Sequence, residues 1–190
     1  MRKTVTVLAI ATLVSTVAMA SEPPPYTPPW KLIERSAVVV DATLVDVSVD
    51  REIRQVVSDW QTQDLVRYQG VLRVHNVLAG GSIGLDRVPL NWEVDETVVS
   101  SWPLPIDFSS LSGDRAIWLL TYRDGELFAA GWDHVWILEG VSWDRFWTGE
   151  KALERLNRRE NPQQYDQVDL IRRYLEEFLR KESSVERRPN

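Results

Sequence analysis

The sequence predicts a mainly β fold with C-terminal α-helices: a small barrel or strongly curved antiparallel sheet, covered by an amphipathic helix. Three observations predict it. Runs rich in β-branched residues, several with two-residue alternation, recur between Ala37 and Leu138. Turn-forming glycines and prolines separate these runs at meander spacing. After Glu150 the apolar period changes from two to three and four, the period of a helix.

The chain opens with what reads as a secretory signal peptide over residues 1–20. Arg2 and Lys3 give the positive start, Thr4–Val17 is largely apolar and uncharged, and Ala18-Met19-Ala20 offers small residues to a signal peptidase. Cleavage is expected between Ala20 and Ser21, with delivery to the periplasm or secretion outright. An uncleaved anchor fits less well: a spanning helix needs about 20 apolar residues, and Pro23-Pro24-Pro25 follow at once. Residues 21–31 then read as an extended proline-rich leader, a spacer or a docking peptide, because proline locks φ and carries no amide proton.

A β-barrel-like domain is expected over residues 32–140. In Ala37–Val49, Val38, Val40, Ala42 and Leu44 share one parity, while Val45, Val47 and Val49 take the other, so a bulge or bend is expected near Thr43–Val45. In Leu65–Leu78, Val66, Tyr68, Leu72 and Val74 alternate with Arg67, Gln69, Arg73 and His75. Gly70 marks a candidate bend. Val88, Leu90, Trp92 and Val94 alternate in a third run, where Pro89 argues for an edge or bulge. Asp95–Asp114 reads as a long loop. Ala116–Tyr122 and Glu126–Ala130 flank Asp124-Gly125, a hairpin signal, and Val135–Leu138 adds a short strand. Five or six strands are expected.

Residues 141–182 read as a helical extension and 183–190 as a disordered tail. Glu150–Arg159 is a short helix with Leu153 and Leu156 on one side. Asn161-Pro162 reads as the cap and first turn of a second helix. Its stripe of Tyr165, Val168, Ile171, Leu175, Phe178 and Leu179 is expected to cover the β core, and the helix to end near Lys181.

The runs AVVVDATLVDVSV, YQGVLRVHNVLAGG, VPLNWEV and GDRAIWLLTYRDGELFAAG, from Ala37 to Gly131, resemble the layout of OB-like barrels of the netrin and metalloproteinase-inhibitor type. The resemblance implies a fold only. The zinc-chelating chemistry of those inhibitors uses an N-terminal cysteine, and this chain has no cysteine.

The absence of cysteine excludes disulfides, thiol nucleophiles, CxxC redox motifs, thiolate zinc sites and a lipidated cysteine. The formal charge is −6, and loss of Arg2 and Lys3 would leave 20 basic against 28 acidic residues. Such a surface repels phosphate backbones, so no nucleic-acid partner is expected. No later segment has a spanning length, so no membrane insertion is expected after signal cleavage.

Few residues point to chemistry. Gly80-Gly81-Ser82-Ile83-Gly84 spells G-x-S-x-G, but that motif needs a helix after the serine, and the sequence that follows reads as a strand. His75 lies on the polar phase of its strand. His134 lies between Asp133 and two tryptophans, and the two histidines lack metal-binding spacing, so neither metal nor cofactor is expected. The nine tryptophans are the unusual feature. Trp132-Asp133-His134-Val135-Trp136 is echoed by Trp143-Asp144-Arg145-Phe146-Trp147, and each unit places two indoles four residues apart. Exposed, Trp132, Trp136, Trp143 and Trp147 would stack on sugar rings beside Asp133 and His134; buried, they would supply core bulk.

The leading expectation is therefore an exported, non-catalytic domain that binds an envelope protein or glycan. The first alternative is a carbohydrate- or peptide-binding module built on the tryptophans. The second is a hydrolase using Asp133, His134 or Asp144.

Overall fold

The computed structural model describes residues 27–58, 61–81, 86–95, 108–129, 131–140, 146–158 and 166–185. Seven strands form one sheet: β1 (Val38–Ser58), β2 (Gln61–Gly80), β3 (Arg87–Asp95), β4 (Arg115–Arg123), β5 (Glu126–Ala129), β6 (Val135–Glu139) and β7 (Trp147–Thr148). Helix α1 (Pro29–Arg35) precedes them, while α2 (Gly149–Asn157) and α3 (Asp166–Val185) follow. The first five strands close on themselves in the order β1-β2-β3-β5-β4-β1, an OB-like barrel.

β1 closes the ring because it is long enough to pair on both edges. Val38–Thr43 pairs with β4, while the strand as a whole pairs with β2. Its register breaks between Val45 and Ser48, where Asp46 has φ 54°, slightly beyond the expected position. The bend lets the apolar set change phase without leaving the sheet. Gly70 serves packing rather than bending: a Cβ there would lie 2.7 Å from Leu44 Cδ1 and 3.1 Å from Trp92 Cζ3. Pro89 lies inside β3, paired with Val71. It is tolerated because β5 meets β3 through a single bridge, Asn91–Phe128, and among the described residues no other strand pairs with that edge of β3.

One core fills the barrel. Val38, Val40, Ala42 and Leu44 of β1 meet Leu72, Val88, Leu90, Trp92 and Trp118 there. Phe108 and Leu111, from a stretch read as loop, cap and end a 3₁₀ turn at Ser109–Leu111 and join the same core. The Phe108 ring sits edge-on to both Trp92 (5.9 Å) and Trp118 (5.7 Å). A second core lies outside the barrel. Val39, Ile117, Leu119, Trp136 and Trp147 pack under Leu32 and Ile33 of α1, Ala152 and Leu156 of α2, and Val168, Ile171 and Leu175 of α3. β1 and β4 are thus buried on both faces, which explains the unbroken apolar runs AVVV and AIWLL.

Several boundaries differ from expectation. Helix α1 begins at Pro29, inside the segment expected to be extended, because proline is compatible with a helix's first turn and Leu32 and Ile33 gain a core to enter. Helix α3 continues past Lys181 to Val185, with the Ser183 and Ser184 hydroxyls donating to the Leu179 and Lys181 carbonyls, so residues 183–185 are helix rather than tail. The region expected to be purely helical also contributes β7 to the sheet. The cap of α2 is Thr148, whose Oγ1 accepts from the Lys151 amide at 3.2 Å. Asn161, Pro162, Tyr165 and the expected signal segment lie outside the described residues.

Candidate functional site

The tryptophan segment is drawn into the helix-covered core. Trp136 is 0% exposed and Trp147 is 2% exposed. β6 and β7 run parallel with Trp136 opposite Trp147, and the two rings stack at 6.3 Å and 17°. The Trp136 indole N–H donates to the Asp133 carbonyl at 3.0 Å, and the Arg155 guanidinium lies 4.8 Å from the Trp147 ring. The second members of the two sequence units therefore pair with each other, and neither offers a face to a ligand. Trp132 lies in a 3₁₀ turn at Trp132–His134. Trp143 and Asp144 lie outside the described residues.

Asp133 and His134 close that turn. His134 Nδ1 lies 2.9 Å from Asp133 Oδ1, the arrangement of a ring N–H donating to a carboxylate. Both fold over Gly131, where a Cβ would lie 2.8 Å from Asp133 Oδ1 and 3.2 Å from His134 Nδ1. A carboxylate orienting an imidazole is two-thirds of a hydrolytic triad. Here the pair consists of chain neighbours packed on their own turn, and Asp144, the other acid of the hydrolase reading, is not among the described residues. Ser82, Ile83 and Gly84 lie outside the described residues, and the next described element is strand β3, where the G-x-S-x-G reading needs a helix. His75 is exposed on β2, and its Nε2 lies 2.8 Å from the Thr43 hydroxyl. Among the described residues no group of three or more His, Asp or Glu could hold a metal ion, and no helix is long and apolar enough to cross a membrane.

Sequence reasoning missed a buried polar cluster. Asp41, 0% exposed, receives Arg115 Nε at 2.9 Å and Nη2 at 2.6 Å, and also the Tyr174 hydroxyl. Arg115 Nη1 donates to Glu139 at 3.0 Å, and the guanidinium lies 4.9 Å from the Phe178 ring. The cluster ties β1, β4 and β6 to α3. The hydrogen bond to Asp41 raises the Arg115 guanidinium further above its usual value, against the opposing effect of burial. A bidentate pair holding a buried carboxylate is a fixed joint rather than a reactive site.

Burial, then the bond to Asp41, pushes the Tyr174 hydroxyl up to about 12. The folded protein holds this proton more tightly than the unfolded chain, whose tyrosines ionise near ~10. Its stabilising contribution is therefore complete below pH ~10 and lost as pH rises through about 12. Tyr174→Phe should flatten the fall in stability between those pH values, measured by urea unfolding. An unchanged alkaline limb would show that the hydroxyl is not held this way.

The barrel's outer surface is divided. The helices pack against β1, β4, β6, β7 and the part of β2 near Leu78. Elsewhere β2 and β3 turn polar side chains outward, with Gln69, Arg73 and Arg87 exposed. At the β3–β5 seam, side chains supplement the single backbone bridge. Arg67 of β2 bonds Glu126 of β5, and Arg123 of β4 bonds Glu93 of β3 at 2.7 Å. Both guanidiniums lie over the Phe128 ring, at 5.1 and 5.4 Å. This face carries charges of both signs outside the helix-covered core. No protein-family model, no curated protein and no solved structure matches the chain.

Proposed function

We propose that the chain is a non-catalytic binding protein that works outside the cytoplasm and engages an envelope protein through the outer face of β2, β3 and β5. The observation that carries this reading is the divided barrel surface: α1–α3 cover one side, while Gln69, Arg73 and Arg87 remain exposed on the other. Interleaved charges suit a protein surface of complementary pattern better than a sugar ring, which favours flat apolar aromatics. Burial of Trp136 and Trp147 removes half of the indoles that a glycan platform would use.

The test is a photo-crosslinking amino acid placed at Arg73, or at Arg180 on the exposed side of α3, in cells making the full chain. The expected result is one defined envelope-protein adduct from position 73, none from 180, and at least a tenfold loss on Arg87→Glu. Equal adducts from both positions, or retention on glycan with no protein adduct, would overturn the proposal. The compartment is tested by the intact mass of the exported chain, expected to begin at Ser21.

A further inference from the structure

The β1–β2 pair extends beyond the barrel as an arm. β3 follows β2 only as far as Leu65, opposite Asp95, and Leu65 itself pairs with Ile53. From Ile53 outward the arm has two described strands. Two-stranded ribbons are marginal in water, whereas three or more strands hold together. The other edge of β1 is engaged by β4 over Val38–Thr43 and by the Gly113 and Asp114 backbone at Leu44; beyond that, no described strand occupies it.

Such an edge is a template for another strand, and natural edges are usually blunted by bulges and charge. Both devices occur in β1, with register shifts at Val49/Arg51 and Val56/Ser58. Between them, however, Arg51–Val56 runs without a break in register. Within that run two opposite charges flank Ile53, Glu52 on one side and Arg54 on the other, while Arg51 and Gln55 lie one position further out. An antiparallel copy centred on Ile53 places Glu52 of each chain opposite Arg54 of the other and Ile53 opposite itself. A one-residue slip in either direction destroys both charge matches. The β1 run from Asp50 to Val56 also carries two acids and two bases, so this strand segment is neutral within an acidic chain.

We propose that this edge pairs with a second copy of the chain across a two-fold axis at Ile53, joining two arms into one four-stranded sheet. Closed two-fold pairing uses the same patch on both copies, as this sequence pattern allows. The dimer leaves the outer face of β2 and β3 free, so the proposal does not depend on the binding reading above.

The absence of cysteine makes the test clean. In Ile53→Cys full chain, mild oxidation should give a reducible disulfide dimer, because facing residues of antiparallel strands lie within bridging distance. Ser183→Cys, on the exposed end of α3, should remain monomeric. Wild type should dimerise with rising concentration by light scattering. Glu52→Arg and Arg54→Glu should each be monomeric alone, yet form a mixed dimer when combined. A monomeric wild type, a mixture that fails to associate, or an edge occupied by a different protein would overturn the proposal.

Discussion

Arg115→Met is expected to destabilise the protein by about 3–5 kcal/mol, because it strands a carboxylate that no water reaches. Asp41 has no exposed surface, and Arg115 supplies both of its charge-assisted bonds; the Tyr174 hydroxyl alone would remain. For a chain of this size the loss corresponds to a fall in Tm of roughly 6–20 °C. The pair itself adds far less net stability than its disruption costs, since burying both ions carries a desolvation penalty. The combined variant Asp41→Leu/Arg115→Met/Tyr174→Phe should therefore recover most of the loss by filling the same space with apolar groups. Urea unfolding of the two variants measures both values. If Arg115→Met cost under about 1 kcal/mol, solvent would have to reach Asp41, and the joint between β1 and α3 would be looser than described.

Trp136→Ala should cost a similar amount, about 3–5 kcal/mol, for a different reason. The ring is fully buried, stacks on Trp147 at 6.3 Å and donates its N–H to the Asp133 carbonyl. Deleting it opens a cavity between β6 and α2–α3 and leaves that carbonyl without its indole donor. The near-ultraviolet circular dichroism of the stacked pair should collapse together with the stability. Trp136→Phe keeps an aromatic ring and should retain the fold at a smaller cost. Under a glycan-platform role, Trp136→Phe would weaken carbohydrate retention in a still-folded protein. Burial predicts no such separation between stability and retention.

The hairpin and the helices were legible because their signals are local. Asp124 and Gly125 have φ of 53° and 83°, the left-handed pair that a two-residue hairpin turn requires, and Asp-Gly is among the few dipeptides that supply it. The stripe of α3 appears at the expected positions, with Val168, Ile171 and Leu175 buried. The bend in β1 announced itself as a change of apolar parity. Asp41 gave no such warning. Within AVVVDATL a single acid reads as an outward residue on a half-exposed strand, and its actual environment is supplied by Arg115 and Tyr174, which lie 74 and 133 residues away. The tryptophan echo was visible as a pattern, but the contact between its two units was not. Spacing within one unit says which residues share a face; the stack joins the two units through parallel pairing of β6 with β7.

By itself the sequence determined a mainly β chain closed by an amphipathic helix, the chemistry that cannot occur without cysteine, and the hairpin's place, because propensity, period and turn chemistry act over a few residues. Only the tertiary structure decided which faces of that sheet meet water. Helices from both ends of the chain converge on β1, β4 and β6, bury Asp41 and Trp136 there, and leave Gln69 and Arg73 of β2 and Arg87 of β3 exposed. Burial depends on which distant segments arrive at a surface, and residues adjacent in sequence carry little record of that arrival.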